Sequence, residues 1–185
     1  MNSDHPSPRG PRIGSLFSGY GGLDLAVEAV LGGHLSWYAE VDRHACAVLE
    51  RRWPGVVNLG NVTTIDWDQV EPVDVLTAGF PCTDISNAGK RVGITGAQSS
   101  LWRCVVDAVR ALRPEIVFVE NVAALLRRGF DVVHADLATL GYDTRWLCLR
   151  ASDIGAAHRR DRMFLLAAPS ERLDAGGDVA DAVRP

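Results

Sequence analysis

The strongest candidate for a reactive side chain is the thiol of Cys82, in the stretch TAGFPCTDISNAGKRVG. It stands directly after Pro81 and just past the apolar run VDVL, so it follows a predicted buried strand. Core filling is the commonest fate of a cytosolic cysteine, but the proline and the small polar residues favour a loop. A nucleophilic thiolate needs partial exposure and nearby positive charge, which Lys90 and Arg91 supply in the same loop. We therefore expect Cys82 to face a substrate.

A carboxyl group ends the next strongly apolar segment, VFVENV, where Glu120 precedes Asn121. A carboxyl group at the edge of an apolar sheet can carry a proton near neutrality and so serve as a general acid or base. The alternative is structural, with Asn121 as a helix N-cap and Glu120 solvated. These residues alone leave both interpretations open.

The densest basic cluster is HRRDR, residues 158–162. A run of charges is by default a solvated turn. If the segment is extended, however, Arg160 and Arg162 are two positions apart and face the same side. They could then point back over the strand ends, toward a phosphate or a base.

A glycine-rich turn, FSGYGG, places Gly19, Gly21 and Gly22 between a predicted strand and a predicted helix. Glycines let the backbone approach a ligand closely, and the helix that follows offers free N–H groups. Glu40 lies 19 residues beyond Gly21 and could accept hydrogen bonds from ribose hydroxyls. The alternative is a tight turn that needs glycine for its dihedral angles. Asp24 replaces the third glycine of a G-x-G-x-x-G site, which weakens a nicotinamide-cofactor interpretation.

The composition is that of a globular domain. The 185 residues suffice for one domain with a substantial core, and 47% are apolar and 23% charged. The formal charge of −4 predicts no general attraction to nucleic acid. No C-x-x-C pair is present, which argues against zinc and disulfides, and we assign Cys46, Cys104 and Cys148 to the core. No apolar run approaches about 20 residues, so we expect no membrane span and a cytoplasmic protein.

The elements that must position these residues alternate between strand and helix patterns. Seven apolar runs are predicted strands: RIGSLF, LSWYAE, GVVNLG, PVDVLTAG, EIVFVE, YDTRWLCL and RMFLLAA. No helix fits into residues 150–161, so the last two strands are predicted to be antiparallel. Five β/α units and a final hairpin indicate an α/β fold with a doubly wound, mostly parallel seven-stranded sheet.

In such sheets ligands bind at the carboxyl ends of the strands. The glycine turn, Glu40, Cys82 and Glu120 all follow or end a predicted strand, so we expect them at one edge. We expect residues 12–168 to form the folded domain. Residues 1–11 are predicted to be a disordered lead-in and residues 169–185 a flexible tail.

Together these pieces resemble the C5-cytosine-specific DNA methyltransferase family over roughly residues 13–168. FSGYGGLD is similar to the family's first motif, which cradles S-adenosylmethionine, and GFPCTDISNAGKR to its Pro-Cys catalytic loop. ENV resembles its Glu-Asn-Val motif, and DIGAAHRRDRMFLLA its Gln-x-Arg-x-Arg segment. The four motifs come in the family's order and at compatible spacing. The resemblance implies a Rossmann-like, S-adenosylmethionine-dependent methyltransferase.

The resemblance also implies a catalytic role for four residues. Cys82 would be the nucleophile that adds to C6 of cytosine, while Glu120 holds N3 and shares a proton with it. Arg162 would contact O2 of the base, and Arg160 would support the catalytic loop or its target. The family flips its target base out of the duplex, because the reacting atoms are inaccessible inside the stack. Loop closure over that base would explain why the cysteine lies in a loop.

The cofactor contacts implied by the resemblance involve nine positions. Glu40 matches the acid that binds ribose, and Phe80 and Pro81 match positions that line the methionine side. The full set is Phe17, Gly19, Gly21, Gly22, Glu40, Asn61, Val62, Phe80 and Pro81. No metal is implied.

Three positions depart from the family's pattern. Asn61 replaces an Asp that accepts the adenine amino group, and its amide oxygen can still accept without charge. His158 stands where the basic motif usually has Gln, and Val41 where an aromatic residue often packs on adenine.

Family members normally continue with a target-recognition domain and a last motif that folds back onto the cofactor pocket. The leading interpretation is therefore a bacterial or phage-type DNA methyltransferase domain that could need a partner chain for target recognition. The alternative is an inactive remnant or regulatory subunit that keeps the fold. A third interpretation is a nicotinamide-dependent enzyme, but this interpretation leaves the Pro-Cys loop unexplained.

Overall fold

A seven-stranded sheet forms the centre of the computed structural model, which describes residues 10–81 and 99–171. The strands are β1 (Arg12–Leu16), β2 (His34–Ala39), β3 (Val57–Asn58), β4 (Val75–Ala78), β5 (Ile116–Val122), β6 (Tyr142–Arg150) and β7 (Asp161–Pro169). Their order across the sheet is β3-β2-β1-β4-β5-β7-β6. Strand β7 is antiparallel to β5 and β6, whereas the other pairs are parallel. The predicted doubly wound sheet with a final antiparallel hairpin is confirmed.

Helical segments link the strands. The α-helices of the described part are α1 (Gly22–Leu31), α2 (Arg43–Arg52), α3 (Ser99–Leu112), α4 (Leu125–Arg128) and α5 (Phe130–Thr139). Helix α4 was not predicted, because four residues are too few to show a period. The β6–β7 connection contains a 3₁₀ turn, Ala151–Ile154, in place of an α-helix. None of these helices has the length and hydropathy of a membrane span within residues 10–81 and 99–171.

The strands bury apolar side chains on both faces of the sheet. Val27 of α1 and Leu49 of α2 pack with Val75 of β4 on one face. The next residue of β4, Leu76, packs on the other face in a larger cluster with Val105 of α3. Because successive strand residues point to opposite faces, a strand covered on both sides must be apolar throughout. This accounts for the unbroken apolar runs in the sequence.

The assignment of the three remaining cysteines to the core holds in part only for Cys104, which is partly buried and packs against the larger core cluster. Cys148 is exposed, since it lies on β6 at one end of the sheet order, where the side chains of residues 145–150 are all exposed. Cys46 and Cys104 are only partly buried. An apolar strand pattern does not distinguish a central strand from one at the margin, and this is the source of the error.

The glycine turn fits against α2 in a way that excludes a side chain. Gly21 has a φ of 76°, and a Cβ added there would lie 2.5 Å from the ring of Trp53. The indole N–H of Trp53 donates to the carboxylate of Glu28 at 3.0 Å, which holds the ring in place. Gly21 is therefore required both for its backbone conformation and for the close approach of the loop to α2.

We expect Gly21→Ala to destabilise the protein more than Gly60→Ala. Gly60 has nearly the same φ, 73°, but no described heavy atom lies within 4 Å of an added Cβ. Gly60→Ala therefore carries only the left-handed backbone penalty, about 1–2 kcal/mol. Gly21→Ala adds overpacking against Trp53, about 1–3 kcal/mol more. Urea denaturation of both variants measures the difference, and equal losses would show that the indole ring moves aside freely.

Candidate active site

A cavity of about 650 Å³ opens where the β1–α1 loop, the end of β5 and the β6–β7 connection meet. Its wall is mixed: the β1–α1 loop and the start of α1 contribute backbone and uncharged side chains. The charged side chains that line it are Asp24, Glu120, Arg150, Arg160 and Arg162. The predicted site residues that line it are Phe17, Gly19, Gly22, Glu120, Arg160 and Arg162. Segments distant in sequence thus meet at the carboxyl ends of the parallel strands, as the fold class predicts.

The other predicted cofactor residues lie outside the lining of this cavity. Asn61 caps a 3₁₀ helix, Val62–Thr64, and its amide oxygen accepts hydrogen bonds from the N–H and hydroxyl of Thr63 at 3.0 and 2.9 Å. Val62 is buried in the core. Phe80 is also buried, with its ring 5.3 Å from that of Trp102. The remaining three positions outside the lining are Gly21, Glu40 and Pro81.

Cys82 and the loop that follows it lie outside the described residues. Pro81 is the last described residue before this gap and is exposed. Because β4 ends at Ala78, the described chain leads to Cys82 from the same edge of the sheet as the cavity.

The Glu40 carboxylate connects the β1–α1 loop to the segment that follows β2. One oxygen, Oε2, accepts from the N–H of Gly19 at 2.8 Å, and Oε1 accepts from the N–H groups of Val41 and Asp42, also at 2.8 Å. Hydrogen bonds of this kind hold a carboxylate in a fixed orientation. The sequence predicted a ribose acid at this position; the structure adds that the same acid orients the glycine turn.

Asn58 positions Glu40 and was missed by sequence reasoning. Its amide oxygen accepts from the Glu40 N–H at 3.2 Å, and its amide nitrogen donates to the Glu40 carbonyl at 3.1 Å. The oxygen also accepts from the N–H of Gly60 at 2.9 Å. The amide side chain thus continues the main-chain pairing beyond the two residues of β3. No local pattern signals this role, since it depends on a neighbouring strand.

Glu120 and Arg162 form an ion pair at one side of the cavity. The Arg162 Nε lies 2.7 Å from Glu120 Oε1, and the two side chains are only 22% and 24% exposed. Antiparallel pairing of β5 with β7 puts Val122 opposite Arg162 and Phe164 opposite Glu120. Glu120 and Arg162 are therefore diagonal neighbours on one face, within reach of long side chains.

Arg160 reaches the same cavity by a different route from the one predicted. Its φ of 34° is left-handed, so the segment is not extended there and strand alternation does not align it with Arg162. Phe17, which also lines the cavity, has a positive φ of 53°. Such conformations are rare outside glycine and concentrate at functional sites, where surrounding contacts hold them.

Asn121 links β5 to the end of β4, which excludes the predicted alternative of a helix N-cap. It is 2% exposed and lies inside β5, and its amide nitrogen donates to the Phe80 carbonyl at 3.1 Å. Its amide oxygen accepts from the N–H of Val122 at 2.8 Å. The backbone two residues before Cys82 is therefore held by a side chain from the neighbouring strand.

Asp24 is a buried acid beneath the glycine turn that sequence reasoning treated only as a missing glycine. It is 1% exposed, and its Oδ1 accepts from the hydroxyl of Thr77 at 2.5 Å. Burial raises the pKa of Asp24, and the hydrogen bond from Thr77 offsets part of this rise. A polar residue on the inner face of an apolar helix was the signal available in the sequence.

The fold defines the class of protein. The chain is similar to the Dnmt2 methyltransferase of S. pombe, with a TM-score of 0.72, 17% identity, and coverage of 86% of this chain and 51% of that one. A putative DNA modification methyltransferase encoded within a prophage of E. coli gives a TM-score of 0.70 at 22% identity, over 92% of this chain and 49% of that one. The molecule therefore has a Rossmann-like methyltransferase fold.

Sequence comparison defines the family more narrowly. The family model for C-5 cytosine-specific DNA methylase matches residues 12–175, and the chain belongs to this family. It is 35% identical over 173 residues to the Type II methyltransferase M.HgiBI of Herpetosiphon aurantiacus, covering 90% of this chain and 39% of that protein. It is 34% identical over 165 residues to the Type II methyltransferase M2.BsuMI of Bacillus subtilis (strain 168), covering 84% and 41%. The chain thus spans about two fifths of the length of these relatives.

We expect the Glu120–Arg162 pair to contribute measurably to stability. In a double-mutant cycle with Glu120→Gln and Arg162→Gln, the coupling energy should be about 1–2 kcal/mol, since the pair is charge-assisted and largely sheltered from water. The control is Asp107–Arg110 on α3, whose side chains are both more than half exposed. Its coupling should be smaller and should vanish in high salt. Equal couplings for the two pairs would contradict this prediction.

We expect Asp24→Asn and Asp74→Asn to change stability with opposite dependence on pH. The pKa of Asp24 is raised in the folded protein. The stability that this carboxyl contributes is therefore present below its pKa in the unfolded chain, and it is lost as pH rises through its pKa in the folded protein. Asp24→Asn should therefore gain stability relative to wild type as pH rises. The hydrogen bond from Arg12 lowers the pKa of Asp74, so its contribution is present above its unfolded pKa and lost in acid. Asp74→Asn should lose stability relative to wild type as pH rises.

Urea denaturation of wild type and both variants between pH 3 and pH 8 measures these slopes. A flat difference between Asp24→Asn and wild type would mean that Asp24 titrates normally in the folded protein.

Proposed function

We propose that this chain is the catalytic region of a DNA cytosine-5 methyltransferase, which transfers a methyl group from S-adenosylmethionine to C5 of a flipped cytosine. The observation that carries the proposal is the placement of Glu120 and Arg162 beside the glycine turn, at the edge where β4 leads into Cys82. Membership of the C-5 cytosine-specific DNA methylase family and the Type II methyltransferase relatives support the same chemistry.

The residues present fit an S-adenosylmethionine site. At Gly19 no described heavy atom lies within 4 Å of an added Cβ, so the turn leaves open space beside its backbone. Glu40 remains beside that turn through the bond from the Gly19 N–H to its Oε2, and this oxygen retains a second acceptor site for a ribose hydroxyl, whereas Oε1 already accepts from two N–H groups. When bound, the cofactor supplies an electrophilic methyl group on a sulfonium. Phe17, Gly19, Gly22 and Glu40 are the residues we assign to holding it.

Glu120 and Arg162 are assigned to the cytosine ring. In the proposed reaction the base separates the ion pair: Glu120 turns to N3 and Arg162 to O2. A proton held by Glu120 at N3 draws electron density from the ring, so C6 accepts a nucleophile and C5 becomes able to attack the methyl group. When Glu120 turns to the base, Arg162 loses its carboxylate partner. It still has a hydrogen-bond acceptor, because O2 of the base takes the place of the carboxylate oxygen.

Cys82 is assigned as the nucleophile of the covalent step. Its sulfur forms a bond to C6 and C5 takes the methyl group; the proton on C5 then leaves, and elimination of Cys82 restores the aromatic ring. Asn121 supports this step, since its bond to the Phe80 carbonyl holds the chain just before Pro81 and Cys82. A Cβ added at Gly79 would meet the Phe17 carbonyl at 3.4 Å and Glu120 Oε2 at 3.9 Å. The approach to Cys82 therefore passes between the cofactor loop and the acid.

DNA binding and target choice are proposed to involve protein outside these residues. The net charge of −4 provides no general attraction to DNA, and the chain spans about two fifths of its relatives' length. We infer that a recognition segment, in the same chain or in a partner chain, reads the target sequence. We propose a role in restriction-modification, acting on bacterial or phage DNA in the cytoplasm, and the Type II methyltransferase relatives support this role.

Methyl transfer from radiolabelled S-adenosylmethionine to DNA tests the proposal. Wild type should incorporate label, and Cys82→Ser should abolish it. Glu120→Gln should lower the rate about 10²- to 10⁴-fold, the usual contribution of a general acid or base. Cys148→Ser is the matched control, because this exposed thiol lies outside the cavity lining and its loss should leave the rate unchanged.

A covalent trap gives a second readout. Cytosine carrying fluorine at C5 cannot lose a proton there, so the Cys82 adduct should persist and migrate with the protein in a denaturing gel. Wild type and Cys148→Ser should form the adduct, and Cys82→Ser should not. Binding of S-adenosylmethionine without transfer or adduct, with and without a companion chain, would favour the alternative of a regulatory member that keeps the fold.

A further inference from the structure

Asp24 presents a carboxylate oxygen whose partner is missing from the described protein. The residue is 1% exposed and lines the cavity. Its Oδ1 is occupied by the Thr77 hydroxyl, whereas Oδ2 is buried and finds no hydrogen-bond donor in residues 10–81 and 99–171. Buried polar atoms are nearly always satisfied in folded proteins, so such an atom on the wall of a cavity points to a ligand.

The fold provides a hydrogen-bond donor for only one of the two carboxylate oxygens of Asp24. A carboxyl group in the first turn of α1 is favoured by the helix dipole, and the hydroxyl of Thr77 satisfies one oxygen. The nearby hydroxyl of Ser15 is directed to Ser18 at 2.7 Å. These contacts explain why an acid is tolerated at this position but leave the second oxygen without a donor.

A counter-charge is also missing among the described side chains. Arg162, which also lines the cavity, is engaged by Glu120, and no ion pair joins Asp24 to a basic side chain within the described residues. Glu28, one turn along α1, adds further negative charge. A buried carboxylate without a cation is unfavourable, and a ligand that brings positive charge would remove the deficit.

The position of Asp24 along the sheet indicates which part of a ligand would reach it. Asp24 contacts Thr77 of β4, whose cross-strand neighbours are Ser15 of β1 and Phe118 of β5. Glu40 directly follows β2 on one side, and Glu120 lies on β5 on the other. Since neighbouring strands are about 4.8 Å apart, Asp24 lies between the proposed ribose acid and the proposed base acid.

We propose that Asp24 binds the ammonium group at the amino-acid end of the sulfonium cofactor, through its unpartnered Oδ2. This inference rests on the proposed function and adds a specificity residue to it. In S-adenosylmethionine the amino-acid chain branches from the sulfur, so it extends away from the ribose and beside the reacting methyl group. Asp24 selects ligands that carry this ammonium group against nucleosides that lack it.

The test compares two ligands of nearly equal size by isothermal titration calorimetry. One is S-adenosylhomocysteine, and the other is its analogue with hydrogen in place of the amino group. Wild type should bind the first ligand about tenfold or more tightly than the second, as a charge-assisted hydrogen bond predicts. In Asp24→Asn, which removes the charge and keeps the shape, this preference should fall to about threefold or less.

Thr77→Val is the matched control. It removes the hydroxyl that occupies Oδ1 but leaves the Asp24 carboxylate in place, so the preference for the amino-bearing ligand should persist. Asp24→Ser provides a second variant if Asp24→Asn fails to fold, and it should lose the preference as well. An equal weakening of both ligands by Asp24→Asn would assign Asp24 to loop structure and overturn the inference.

The outcomes separate this inference from the function on which it rests. Wild-type binding of both ligands with equal affinity would overturn the Asp24 assignment alone and leave the methyltransferase proposal standing. Failure of wild type to bind either ligand would overturn both.

Discussion

The antiparallel pairing of β7 with β5 is the constraint on which the candidate site depends. Parallel strands present only their carboxyl ends at one edge, whereas a reversed strand begins there and brings its first residues to the same place. Arg162 thereby becomes the diagonal neighbour of Glu120, and the two form an ion pair inside the cavity. In a wholly parallel sheet, Arg162 would start its strand at the opposite edge.

The loops at this edge are held by side chains from neighbouring strands. Glu40, directly after β2, accepts from the N–H of Gly19, and Asn58 of β3 holds Glu40 in turn. Asn121 of β5 performs a similar task for Phe80, two residues before Cys82. Each contact crosses from one strand to the next. The site is thus preorganised by polar side chains that replace main-chain pairing where the strands separate.

Much of the architecture could be predicted from the sequence, and the exceptions have physical causes. The seven strands and the final hairpin follow from periodicity, since buried strands must be apolar on both faces. Cys148 was misplaced because the same apolar pattern occurs on β6, whose position at the end of the sheet order is not written in its own residues. Asn121 was open to a capping role because the end of β5 was set two residues too early.

The sequence by itself determined the family and the identity of the chemical groups, because the glycine turn, the Pro-Cys pair, Glu120 and the arginine cluster depend on local order. Tertiary structure alone decided which of these groups meet and what supports them. Three features depend on the register between strands distant in sequence. They are the Glu120–Arg162 ion pair, the hydrogen bonds between Asn58 and Glu40, and the unpartnered oxygen of Asp24. Register is set by packing of the whole sheet, and no local pattern encodes it.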